Sequence, residues 1–163
     1  MLSKRKAEKA KAEIADPSAF IVAADTVVFH NGDILGKPLN AAGAFDMLSS
    51  LSGDFHEVYS GITVIHGGKT IYDHDVTKVK FRDIEKKEIE AYVKTGDPLT
   101  KAGAYGAEGL GSAFIERIDG DFFNIAGLPV FKFANILKKD FYMTIFDLSD
   151  LSDLSDLSER IRM

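Results

Sequence analysis

The chain has 163 residues, is 45% apolar and 28% charged, and contains no cysteine. That balance suits one soluble globular domain, which can bury on the order of two thirds of its unfolded surface, and it excludes disulfides, thiolate metal sites and cysteine nucleophiles. A net charge of −5 argues against nucleic-acid binding driven by overall charge, and the charged start and short apolar runs give neither a secretory signal nor a membrane span. The expectation is a cytoplasmic protein with no nucleic-acid or membrane partner.

Ser3 to Ala15 is dense in Ala, Lys and Glu and predicts a helix that Asp16-Pro17 stops. Ala19 to His30 is a β-rich run, apolar on both faces and interrupted by Asp25, which reads as a central strand. Asn31-Gly32 signals a hairpin into Asp33 to Gly36. Asn40 can cap a helix through Leu51. His56 to Ile65 and Lys69 to Phe81 read as two strands around a Gly67-Gly68 turn, and Asp83 can cap the helix that ends before Gly96. Lys101 to Gly111 predicts a glycine-rich loop, Ser112 to Ile118 and Phe122 to Ile125 two strands, and Pro129 the start of a last helix. The order of elements predicts an α/β fold with a mixed, twisted sheet flanked by helices. Residues 1–142 form the domain; residues 143–163 hold a repeated Leu-Ser-Asp tract, read as disordered or frayed helix, or else as a docking segment.

Three positions could carry chemistry. Asp25 is a carboxylate among Ile21, Val22, Val27 and Val28, so it needs a cationic partner or a cleft, and strand alternation puts it on the face opposite Thr26. Lys37, between Gly36 and Pro38, projects from a rigid turn and suits a point charge on a phosphate, or else is simply solvated. The loop from Lys101 brings backbone close to a ligand and offers Glu108 as a base or a metal ligand, unless it is a linker with an incidental acid. Lys9 alone reads as a surface lysine. The histidines lack metal-ligand spacing, and no serine sits in a G-x-S-x-G elbow.

Seven short strings then follow in order: Ala23 to Val28, Leu35 to Pro38, Met47 to Val58, Glu88 to Tyr92, Gly96 to Leu99, Lys101 to Gly106, and Gly120 to Pro129. From about Ala7 to Leu137 the chain resembles the Maf family of house-cleaning nucleotide pyrophosphatases, related in fold to the inosine triphosphate pyrophosphatases. The resemblance implies hydrolysis of a nucleoside triphosphate, such as dTTP, UTP or a modified nucleotide, to the monophosphate and pyrophosphate, with a divalent cation (Mg²⁺, or Mn²⁺). It implies that Asp25 and Lys37 are catalytic, Asp25 also on the metal side, and that Lys9, Thr26, Glu108 and Lys101 bind substrate. A homodimer is compatible with it. The family's opening strand and Ser-x-Ser-Pro-Arg-Arg loop have no counterpart in these residues: either the sequence starts late, a partner supplies the piece, or the form is shortened, and a weakened nucleotide-binding or regulatory protein is the alternative function. Glu108 stands where the dTTP/UTP branch usually has glutamine, which leaves base preference open.

Overall fold

A computed structural model describes residues 2–14, 16 and 18–148. Of the tail expected over residues 143–163, the first part holds a 3₁₀ turn at Ile145–Asp147; residues 149–163, with most of the Leu-Ser-Asp tract, lie outside the described residues. The chain runs α1 (Leu2–Glu13), β1 (Ile21–His30), β2 (Asp33–Leu35), α2 (Ala41–Leu51), β3 (Phe55–His66), β4 (Lys69–Phe81) and α3 (Lys86–Lys94). Short 3₁₀ turns at Asp97–Thr100, Ala102–Ala104 and Leu110–Phe114 lead to β5 (Ile115–Asp119), α4 (Phe122–Ala126) and α5 (Val130–Asp140).

The five strands form one sheet in the order β2-β1-β3-β4-β5. Every described pairing is antiparallel, so the sheet expected as mixed contains no parallel pair among these residues. β3 and β4 are its long central ribbon, paired from Phe55↔Lys80 to His66↔Lys69 around the Gly67-Gly68 turn. β1 pairs with β3 from Ile21↔Ile65 to Phe29↔Glu57, but with β2 only over Val28 to His30. Residues Ile21 to Val27 therefore have a sheet neighbour on one side only, among the described residues.

The pleat divides the molecule. α1 lies on the face that carries Ile21, Ala23 and Ile65, against which Ala7 is fully buried. The opposite face carries the main core, where Val28, Val58 and Val79 meet Leu48 and Leu51 of α2, Ile89 and Tyr92 of α3, and Phe81. A second cluster at the other end of that face joins Ile62 and Val64 to Phe133, Ile136 and Leu137 of α5.

Local chemistry explains where the elements begin. Asn40 caps α2 as the sequence predicts, its Oδ1 accepting from Gly43 N at 2.9 Å. α3 starts later than Asp83. Glu85 N donates to Glu88 Oε2 at 3.1 Å, and Arg82 grips the same carboxylate at 2.7 and 3.0 Å, so Glu85 is the cap. Residues Phe122 to Ile125, expected as a strand, are the helix α4. Asp121 Oδ1 accepts from Phe123 N at 2.9 Å at its start, and Gly127 N closes its end on Phe123 and Asn124 carbonyls. Ser112 to Phe114, expected to open a strand, complete a 3₁₀ turn, and β5 begins at Ile115.

Candidate active site

Asp25 sits mid-way along β1 on the α1 face, its side chain 19% exposed, and Lys6 Nζ lies 2.5 Å from its Oδ1. The Lys6 ammonium also donates to the Ala24 carbonyl at 3.3 Å. The residue paired with Asp25 across β3 is Gly61. A Cβ there would come within 3.3 Å of Ser3 Oγ and 3.4 Å of the Tyr72 ring. The missing side chain is thus what lets α1 approach, and Ser3 Oγ seals the contact on Thr63 Oγ1 at 3.0 Å. The result is a carboxylate beside an ammonium at a half-open sheet face.

The lysine brought to Asp25 is Lys6 rather than Lys9. Ser3, Ala7 and Ala10 form the inward stripe of α1, and at about 100° per residue Lys6 borders it while Lys9 points away. Lys9 is exposed, with Glu13 Oε1 one turn on at 4.0 Å.

Thr26 faces the other side of the sheet. Its Oγ1 lies 2.6 Å from Ser60 Oγ, which donates to the Asn124 carbonyl at 2.7 Å. Asn124, fully buried, donates in turn to the Val58 carbonyl at 2.9 Å and to Thr77 Oγ1 at 3.0 Å. Neither Ser60 nor Asn124 stands out in the sequence as a site residue; a serine facing an apolar strand interior was the available signal.

Lys37 is exposed and follows Leu35, which pairs with Val28 three residues from Asp25 along β1. Its loop is tied to the glycine-rich loop, because Gly103 N donates to the Gly36 carbonyl at 3.0 Å. Lys101 starts that loop, with its aliphatic stem within 3.4 Å of where a Cβ on Gly106 would be. Lys37 and Lys101 therefore emerge from joined loops at the β1–β2 end of the sheet. Glu108 lies exposed farther along the same loop.

His56, a buried residue of β3, bonds Tyr105 Oη through Nε2 at 2.7 Å. Burial, then repulsion from His30, hold its pKa down at about 4 against the opposing pull of Asp54. It is a neutral core residue. His30 bonds Asp54 at 3.1 Å, so both histidines have structural roles.

No three His, Asp or Glu side chains converge among the described residues. That donor set does not make a protein-only metal cage. It does fit Mg²⁺, which usually takes one or two carboxylates and completes its shell with water and substrate phosphates. Asp25, paired with Lys6 in the structure, would supply one carboxylate to such an ion.

Among the described residues no helix is long and apolar enough to cross a membrane. The chain matches the Maf-like protein family over residues 1–140. It is 45% identical over 140 residues to a protein of Clostridium tetani named dTTP/UTP pyrophosphatase, covering 85% of this chain and 73% of that one. Proteins of the same name from Alkaliphilus metalliredigens (47% identical, 80% and 68% covered) and Aquifex aeolicus (43% identical, 85% and 72% covered) are similar to it as well. With an α/β fold, a half-open acid–lysine pair and this extent of likeness, the chain belongs to the Maf-like protein family.

Proposed function

We propose that the chain hydrolyses a nucleoside triphosphate to the monophosphate and pyrophosphate, with dTTP and UTP as the first substrates to offer it. The observation that carries the reading is the Lys6–Asp25 pair at the Gly61 notch, in a chain whose relatives bear the name dTTP/UTP pyrophosphatase.

In this reading Asp25 orients and deprotonates a water that attacks the α-phosphorus, while the bridge to the β-phosphate breaks. Lys6 is close enough to offset charge on the same reacting group. Lys37 and Lys101 meet the outgoing pyrophosphate oxygens, where fixed cations act on charge developing in the transition state. A divalent cation, Mg²⁺ first, would be held by Asp25 together with phosphate oxygens and would neutralise their charge. Thr26 and Glu108 are left for the nucleoside. A homodimer and a cytoplasmic setting belong to the same reading, and sedimentation velocity tests the first.

The test is product identity. With Mg²⁺ and dTTP or UTP, the chain should release pyrophosphate and monophosphate in equal amounts; orthophosphate and diphosphate as products would overturn the reading.

A further inference from the structure

Ser60 is fully buried at the centre of β3, and its hydroxyl lies between two oxygens: Thr26 Oγ1 at 2.6 Å and the Asn124 carbonyl at 2.7 Å. A carbonyl can only accept, so the single Ser60 hydroxyl hydrogen goes to Asn124. Ser60 is then left to accept, and the Thr26 hydrogen is committed to it. The rest of the network holds Asn124 in place. The Asn124 amide donates to Val58 on β3 and to Thr77 on β4, and Thr77 Oγ1 donates to the Asp121 carbonyl at 2.9 Å. The Asn124 carbonyl is therefore a fixed end-point, anchored to two strands.

What remains to Thr26 is a pair of lone pairs on a half-buried oxygen, on the stretch of β1 that lacks a second sheet neighbour. An oxygen in that state cannot donate to a phosphate oxygen, which is itself only an acceptor. It can receive a ring N–H, an exocyclic amine or a ribose hydroxyl.

We propose that Ser60 is a positioning residue that fixes the polarity of the Thr26 hydroxyl, so that Thr26 meets the nucleoside as an acceptor and leaves the phosphates to the lysines. The proposal rests on the nucleotide reading above. It assigns Ser60 an effect on the choice between a nucleotide and a bare polyphosphate, and not on phosphate binding as such.

The experiment measures, on the full chain with Mg²⁺, dissociation constants for α,β-methylene-UTP and for inorganic tripolyphosphate by titration calorimetry. The wild type is compared with Ser60→Ala, Thr26→Val and the double variant. The preference for the nucleotide over tripolyphosphate should fall about fivefold to tenfold in Thr26→Val, the size of one lost hydrogen bond, and about twofold to fivefold in Ser60→Ala, where Thr26 can still accept but is also free to donate to a phosphate oxygen. The double variant should fall no further than Thr26→Val alone, because Ser60 acts through Thr26. General loosening of the sheet shifts both ligands together and leaves this ratio alone, which separates positioning from mere stability. If Ser60→Ala does not fold, Ser60→Cys, whose thiol is a poor acceptor, reads the same ratio. An unchanged ratio in the Ser60 variant, or additive losses in the double, overturns the proposal. A wild-type chain that binds both ligands equally instead overturns the nucleotide reading on which it stands.

Discussion

Lys6 Nζ lies 2.5 Å from Asp25 Oδ1, while Lys9, one turn farther along the same helix, reaches only toward Glu13. The two lysines therefore make opposite predictions. Lys6→Ala should lower kcat/KM for the nucleotide by about a hundredfold, the scale of removing one preorganised charge from a transition state. Lys9→Ala should stay within about twofold and change stability by less than roughly 0.5 kcal/mol, as surface substitutions usually do. Steady-state kinetics and melting of the two variants check this; equal losses would remove the distinction.

Gly103 has φ +66, and a Cβ on it would stand 2.8 Å from Val28 Cγ2, a buried core methyl. Gly103→Ala must push the loop away from β1 and stretch the bond from Gly103 N to the Gly36 carbonyl, on which the Lys37 turn rests. The expected cost is about 1–3 kcal/mol of stability, as for other overpacked sites, together with a rise in KM. Denaturant unfolding and kinetics of the variant give both numbers.

Asn124 joins β3 to β4 through two buried donors. Asn124→Ala would remove one donor from the Val58 carbonyl and one from Thr77 Oγ1, both of which keep other partners, at roughly 0.5–1.5 kcal/mol for each hydrogen bond lost. A melting temperature lowered by several degrees is expected, and an unchanged one would contradict the network.

His56 should make stability fall in mild acid. Its folded-state pKa of about 4 lies below the ordinary imidazole value of 6.5, so between those values the unfolded chain binds the extra proton and the folded chain does not. Its contribution is complete above pH 6.5, is lost as pH falls toward 4, and amounts to about 3 kcal/mol at 1.36 kcal/mol per unit. Glu88, held down at about 2 by Arg82 first and by the Glu85 N–H second, adds a loss at lower pH, beginning below the ordinary glutamate value of 4.5. Melting curves from pH 7 to 4 should flatten in His56→Gln, whose amide can still meet Tyr105.

Much of the fold was legible because local chemistry and tertiary packing agree. Asn40, the Gly67-Gly68 turn and the apolar run from Ile21 to His30 each announce an element that the structure contains. Phe122 to Ile125 misled because two phenylalanines and an isoleucine suit a strand, whereas the Asp121 cap and Gly127 close a helix around them. At the site, Asp25 was legible as an acid in an apolar strand. The lysine opposite it was harder. Lys6 and Lys9 look alike in a lysine-rich helix, and the small stripe Ser3-Ala7-Ala10 shows which one faces the sheet only once the face buried against Gly61 is known. Ser60 and Asn124 were not legible, since their roles arise from pairing residues 34 and 64 positions apart in sequence.

The most direct measurement is pyrophosphate release from dTTP and UTP by the wild-type chain and by Asp25→Asn, with Mg²⁺ present. Turnover is expected in the wild type and a loss of at least about a thousandfold in the variant, since the amide cannot take the proton and offers the cation only a neutral oxygen. A folded Asp25→Asn variant that retains wild-type turnover would contradict the placement of the reaction at the Lys6–Asp25 pair.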